Sequence, residues 1–87
     1  MEIIYEYQLQ TTDEQFIEMP LGAEVLTVQT QNEIPCIWAR VNPEHSKIRY
    51  RFRIFETGHP IEDNFVGKYI GTYQLKNGGL VFHLWLI

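Results

Sequence analysis

The sequence predicts an all-β domain: an antiparallel sandwich or small barrel of six or seven short strands, with little or no helix. Three observations predict it. Apolar residues recur at every second position along most of the chain, the period at which a strand turns its side chains to one face. Five Tyr, five Phe and two Trp are interleaved with β-branched residues, a composition that strands favour. Clusters of Gly, Pro, Asn and Asp punctuate these runs at short intervals, as turns require. At 87 residues, 45% hydrophobic and 21% charged, the chain has the length and composition of one folded domain spanning 1–87.

The elements follow in order. Ile3, Tyr5, Tyr7 and Leu9 alternate with Ile4, Glu6, Gln8 and Gln10, which reads as a first strand with one buried face. Thr11 to Glu14 supply a turn. Phe16 to Met19 form a short strand ended by Pro20, which lacks a ladder donor, and Gly22, which allows a tight turn. Ala23 to Gln31 make a strand with a wet outer face, and Asn32-Glu33 starts a hairpin without the favoured Asn-Gly pair. The next strand runs from Pro35 to Val41, and its early proline predicts an edge or a bulge at its start. Asn42-Pro43-Glu44-His45-Ser46 is a turn.

The sharpest pattern comes next. In Ile48 to Phe55, Arg49, Arg51, Arg53 and Phe55 share one face while Ile48, Tyr50, Phe52 and Ile54 share the other. Thr57 to Lys68 has no strand periodicity and is long enough to be a functional loop. Tyr69 to Leu75 resumes the alternation, and Lys76-Asn77-Gly78-Gly79 is a hairpin turn with cheap positive φ. Leu80 to Ile87 closes the chain with Leu80, Phe82, Leu84 and Leu86 on one face and Val81, His83, Trp85 and Ile87 on the other. Apolar on both faces, it is either central in the fold or an interface with another subunit, and the second reading is preferred. A homo-oligomer assembled through Phe82, Leu84, Trp85, Leu86 and Ile87 is therefore expected.

Charge narrows the function. The net charge of −4 is unsuited to a general nucleic-acid binder, which needs a basic surface to displace counterions. Residues 1–33 hold Glu2, Glu6, Asp13, Glu14, Glu18, Glu24 and Glu33 and no Lys or Arg, and all seven basic residues follow Cys36. Acidic early strands lying beside basic late ones would form cross-strand pairs. The alternative is a two-signed surface that selects a partner. A single cysteine forms no internal disulfide and suits a reducing compartment. Met1 to Glu6 lacks signal-peptide features and no run reaches membrane-span length, so a cytoplasmic protein without membrane contact is expected.

Little catalytic chemistry is legible. His45, His59 and His83 show no metal-ligand spacing, and no dinucleotide fingerprint or phosphate loop is present, so neither metal nor cofactor is expected. His59 could serve as a general base beside Glu62 and Asp63, but no activated nucleophile accompanies it. Cys36 reads as a small hydrophobe within a strand. The best binding candidates are Arg49, Arg51 and Arg53, three guanidiniums about 7 Å apart on one strand face, with Thr57, Gly58 and His59 in the loop they lead into. The competing reading is a solvated face paired with the acidic strands. Trp38, Tyr50, Phe52 and Tyr73 are assigned to the core rather than to a stacking platform.

The chain also resembles a family of short bacteriophage and prophage proteins of uncharacterised function. The resemblance rests on Ile17-Glu18-Met19-Pro20 with Gly22-Ala23, Pro35-Cys36-Ile37-Trp38-Ala39, Phe52-Arg53-Ile54 with Thr57-Gly58-His59-Pro60-Ile61, Tyr69-Ile70-Gly71-Thr72-Tyr73-Gln74 and Gly79-Leu80-Val81-Phe82-His83. It covers nearly the whole length. It implies a phage-derived protein acting in the host cytoplasm, and transfers no activity. The expected function is a non-enzymatic binding module, for instance a counter-defence protein that binds a host protein or a small anionic nucleotide signal. A virion-associated head or tail protein is the alternative, and a small hydrolase using His59 is the third reading.

Overall fold

The computed structural model describes residues 1–87 as seven antiparallel strands in two facing sheets, without a helix. The strands are β1 (Ile3–Gln8), β2 (Glu14–Pro20), β3 (Glu24–Gln31), β4 (Ile34–Val41), β5 (Lys47–Glu56), β6 (Lys68–Leu75) and β7 (Leu80–Leu86). One sheet has the order β1-β4-β3 and the other β2-β5-β7-β6. The fold is a small sandwich rather than a closed barrel.

The core lies between the sheets and follows the period-two rows. Ile37, Ala39 and Val41 of β4 face Phe52 and Ile54 of β5 and Phe82 and Leu84 of β7, with Met19, Val25, Val28 and Tyr73 completing the layer. Met19, Ile37, Ala39, Val41, Phe52 and Leu84 are wholly buried. Burying one such side chain stabilises the fold by about 1.5–3 kcal/mol.

Both hairpins are set by positive-φ residues. Asn32 and Glu33 both adopt positive φ, 50° and 67°, the pair of left-handed residues that a two-residue turn needs to match strand twist. Glu33 holds this conformation without glycine's freedom because its carboxylate accepts the Lys76 N–H, tying the β3–β4 hairpin tip to that of β6–β7. Thr30 Oγ1 also donates to the Gln74 carbonyl at 3.1 Å. The sandwich is therefore closed along β3 and β6, and open along β1 and β2.

Several expectations need correction. β7 is apolar on both faces because it is the central partner of β5 and β6, and Phe82 and Leu84 lie in the chain's own core. They are thus unavailable to an interface between subunits. β4 is also central, not an edge. Its Pro35 is tolerated because the carbonyl accepts from Leu9 N at 2.9 Å, just past the last β1–β4 ladder pair, Gln8 with Cys36. The absent N–H therefore falls where that ladder has already ended. Trp38 points away from the core and is half-buried on the outer side of β4. The core-side row of β1 is incompletely covered, with Ile3 38% and Tyr5 42% exposed.

Candidate functional site

The arginine row lies on the outer face of the four-stranded sheet, opposite acidic β2. Register sets Glu14 against Arg53, Phe16 against Arg51 and Glu18 against Arg49. Each guanidinium has an internal partner. Arg49 stacks over the Phe16 ring at 4.1 Å, and Arg51 pairs with Glu14 at 2.7 Å. Arg53 pairs with Glu62 at 2.9 Å and lies over Phe55 at 4.7 Å and Phe65 at 5.5 Å. Elsewhere Arg40 pairs with Glu2 at 2.7 Å. Two of the seven early acids, Glu2 and Glu14, are thus paired with late arginines, while the partner of Arg53 is itself a late acid.

Beyond Arg53 the loop 57–67 folds back over this sheet. Phe65 sits edge-on against Phe55 (5.1 Å between centroids) and Trp85 (5.5 Å), and Tyr69 is tilted against Trp85 at 5.0 Å. Gly67 makes the closure possible, because a Cβ there would lie 3.1 Å from Phe65 and 3.2 Å from the Leu86 carbonyl. This second, outer aromatic cluster buries Phe55 to 7% exposure. It also covers Trp85, whose Nε1 is buried without a partner.

Two clefts flank the loop, each of about 310 Å³. The first lies at the end of the sandwich and contains Thr11, Thr12, Asp13, Arg53, Glu56, His59 and Glu62. Arg53 is engaged by Glu62, and His59 Nε2 is 3.5 Å from Glu56, so Arg53 is the one permanent positive charge among three carboxylates, Asp13, Glu56 and Glu62. The Arg53 guanidinium, donating to Glu62, holds that carboxyl below its ordinary 4.5. An incoming anion would have to compete with Glu62 for Arg53 and approach Asp13, at a cost in both steps.

The second cleft lies on the outer face between the loop and β6–β7, lined by Thr57, Gly58, His59, Ile61, Tyr69, His83 and Trp85. A row of polar groups crosses it. His83 shares a hydrogen bond through Nε2 with Thr57 Oγ1 at 2.7 Å and through Nδ1 with Thr72 Oγ1 at 3.0 Å. Thr72 is in turn bonded to the Tyr69 hydroxyl. The Thr57 hydroxyl also lies 3.3 Å from the Val81 carbonyl, so its proton has a backbone acceptor as well as the imidazole. No three His, Cys, Asp or Glu side chains converge to hold a metal.

A family model described as a domain of unknown function, DUF7352, matches residues 1–86. The chain belongs to that family. No curated protein and no solved structure matches it. In this DUF7352 chain the structure places Arg53 and His59 of the sequence-predicted site in the first cleft and Thr57, Gly58 and His59 in the second, and sets Arg49 and Arg51 apart along β2. Sequence reading missed His83, Tyr69 and Thr72. Their signal was present in the alternation, which puts His83 and Trp85 on one face of β7, but only the pairings Thr72 with His83 and Tyr69 with Trp85 make them neighbours. Also missed was the outer aromatic cluster, whose Phe65 lies in a segment without periodicity.

Proposed function

We propose that this DUF7352 protein is a non-enzymatic binding module, phage-derived as its resemblance implies, that recognises a host protein through the loop 57–67 and the adjoining outer face of β6 and β7. The observation that carries the reading is the internal pairing of two of the three arginines in the row. With Arg51 on Glu14 and Arg53 on Glu62, only Arg49, stacked on Phe16, lacks a carboxylate partner, so a polyphosphate meets no run of free guanidiniums. Of the two ligand classes the sequence suggested, the protein is favoured over the anionic nucleotide. The loop presents apolar groups in an acidic setting: Val66 is 81% exposed, with Ile61 and Tyr69 also exposed, beside Glu62 and Asp63. That combination fits a partner surface with an apolar centre and basic rim.

A photo-crosslinking residue placed at Ile61, and separately at Val66, is expected to capture the same host protein, while one at Gln29 on the other sheet does not. Equal capture from Gln29, or capture of nothing from the loop, overturns the reading. A virion-associated role is the competing outcome, seen as abundant chain in purified particles. Turnover of an ester or phosphate substrate that is lost in His59→Ala or Thr57→Ala would replace binding with hydrolysis.

A further inference from the structure

Each sheet ends in two edges, and three of the four are covered or blunted. β3 and β6 close on one another through Thr30 and Glu33, and each has an irregularity in its ladder. β2 carries Glu14 and Glu18 and ends in Pro20, charges and a proline that discourage further pairing. β1 has fewer of these devices: a single charge, Glu6, and neither a proline nor a cover. It pairs residue for residue with β4 from Ile3–Val41 to Gln8–Cys36 without a bulge, and contains no Pro, Lys or Arg. Ile3, Ile4 and Tyr5 are 38%, 59% and 42% exposed. Its outer row of N–H and C=O groups is a template for another strand.

The occupant follows from the strand's own sequence. We infer that β1 pairs antiparallel with β1 of a second copy about a twofold axis at Tyr5, joining two three-stranded sheets into one of six strands. An isologous contact must be self-complementary, and only registers that keep the core-side row on one face are allowed. An axis at Ile4 sets Glu2 against Glu6, and an axis at Glu6 sets that carboxylate against itself. Both place like charges directly opposite. The axis at Tyr5 avoids this: Tyr5 meets Tyr5, Ile3 meets Tyr7, Ile4 meets Glu6 and Glu2 meets Gln8. Glu2 is already paired with Arg40, which further lowers the negative charge brought to the contact. The Tyr5–Tyr7 edge-on pair, 6.4 Å between centroids, becomes part of a continuous aromatic row across both copies.

One strand pair buries less than the roughly 1,200 Å² of a stable complex, so the dimer is a weak one. Sedimentation equilibrium of the full chain from about 10 to 500 µM, the micromolar range such an interface implies, tests it. The expected mass rises from 10.3 kDa to twice that. Tyr5→Lys returns the chain to monomer, and Ile4→Glu weakens association by about fivefold. Ile4→Lys, whose ammonium faces Glu6 of the second copy, preserves it. In a Cys36→Ala background, Tyr5→Cys crosslinks under oxidation and Ile3→Cys alone does not. Should Tyr5→Lys lose its melting transition, the two Ile4 variants on the outer face decide the matter. A monomer throughout, a dimer indifferent to the Ile4 charge, or crosslinking by Ile3→Cys alone overturns the inference.

Discussion

At the scale of single residues, Arg53 is the hinge between the arginine row and the loop. It is the most buried of the three guanidiniums with an ion pair or ring partner on β5, its side chain 19% exposed, and it donates to Glu62 while lying over two rings. Glu62 has its folded value depressed, chiefly by that hydrogen bond and then by a backbone one. A depressed carboxyl contributes stability that is complete above its unfolded value and is lost as pH falls through the folded one. Stability should therefore decline as the solution is acidified below the ordinary 4.5. In Glu62→Gln that part of the pH dependence should shrink, measured by urea titration at a series of pH values. Trp85 offers a second test. Its buried, unpartnered indole N–H carries a desolvation cost of about 1–3 kcal/mol, which Trp85→Phe removes along with some packing. Trp85→Phe is expected to cost under about 1 kcal/mol and Trp85→Ala about 2–4 kcal/mol. A loss in Trp85→Phe well above about 1 kcal/mol would show that the N–H is satisfied in solution.

At the scale of elements, β6 is shaped by its neighbour across the sandwich. Its register slips between Tyr69 and Gly71, and a Cβ on Gly71 would lie 3.0 Å from Val28 Cγ1. Glycine is favoured here by the close approach of β3, with no positive φ involved. Gly71→Ala is expected to destabilise by about 1–3 kcal/mol, the range for overpacking. Trimming the opposing methyls in Val28→Ala should restore part of the loss, so that a double-mutant cycle gives a favourable coupling of about 1 kcal/mol. Additive losses would place the strain elsewhere. The loop 57–67 behaves as an element too, because Phe65 and Gly67 hold it against Phe55, Trp85 and Ile87.

At the scale of the whole molecule, the two sheets share one core cluster, which draws on β2, β3, β4, β5, β6 and β7 alike. The outer aromatic cluster under the loop is small beside this shared core, so the two sheets should unfold together. Cys36 on one sheet and Trp85 on the other make this measurable. Burial, with a smaller contribution from Glu6, pushes the Cys36 thiol up, and a protonated, covered thiol reacts slowly. Labelling of Cys36 and Trp85 fluorescence in a Trp38→Phe background should give coincident urea midpoints. Separate midpoints would mean that the sheets open independently. A panel of cyclic and linear nucleotides should leave the melting temperature unchanged, as the occupied arginines imply. A shift abolished in Arg51→Ala, Arg53→Ala would return the arginine row to a binding role.

The sequence by itself determined the class of fold, the turns and the two faces of β5, because those depend on a period of two and on the local chemistry of Gly, Pro, Asn and Asp. The segregation of acids before Cys36 and bases after it also foretold the cross-strand pairs Glu14–Arg51 and Glu2–Arg40. Strand order was a matter for the tertiary structure. Periodicity says that β7 is apolar on both sides, yet whether a neighbouring strand and loop or a second subunit covers it depends on contacts distant in sequence. Those contacts placed Phe82 and Leu84 in the chain's own core, folded Phe65 over Trp85, and set His83 beside Thr57 and Thr72. They left β1, whose alternation promised a buried face, as the edge on which that face is still half uncovered.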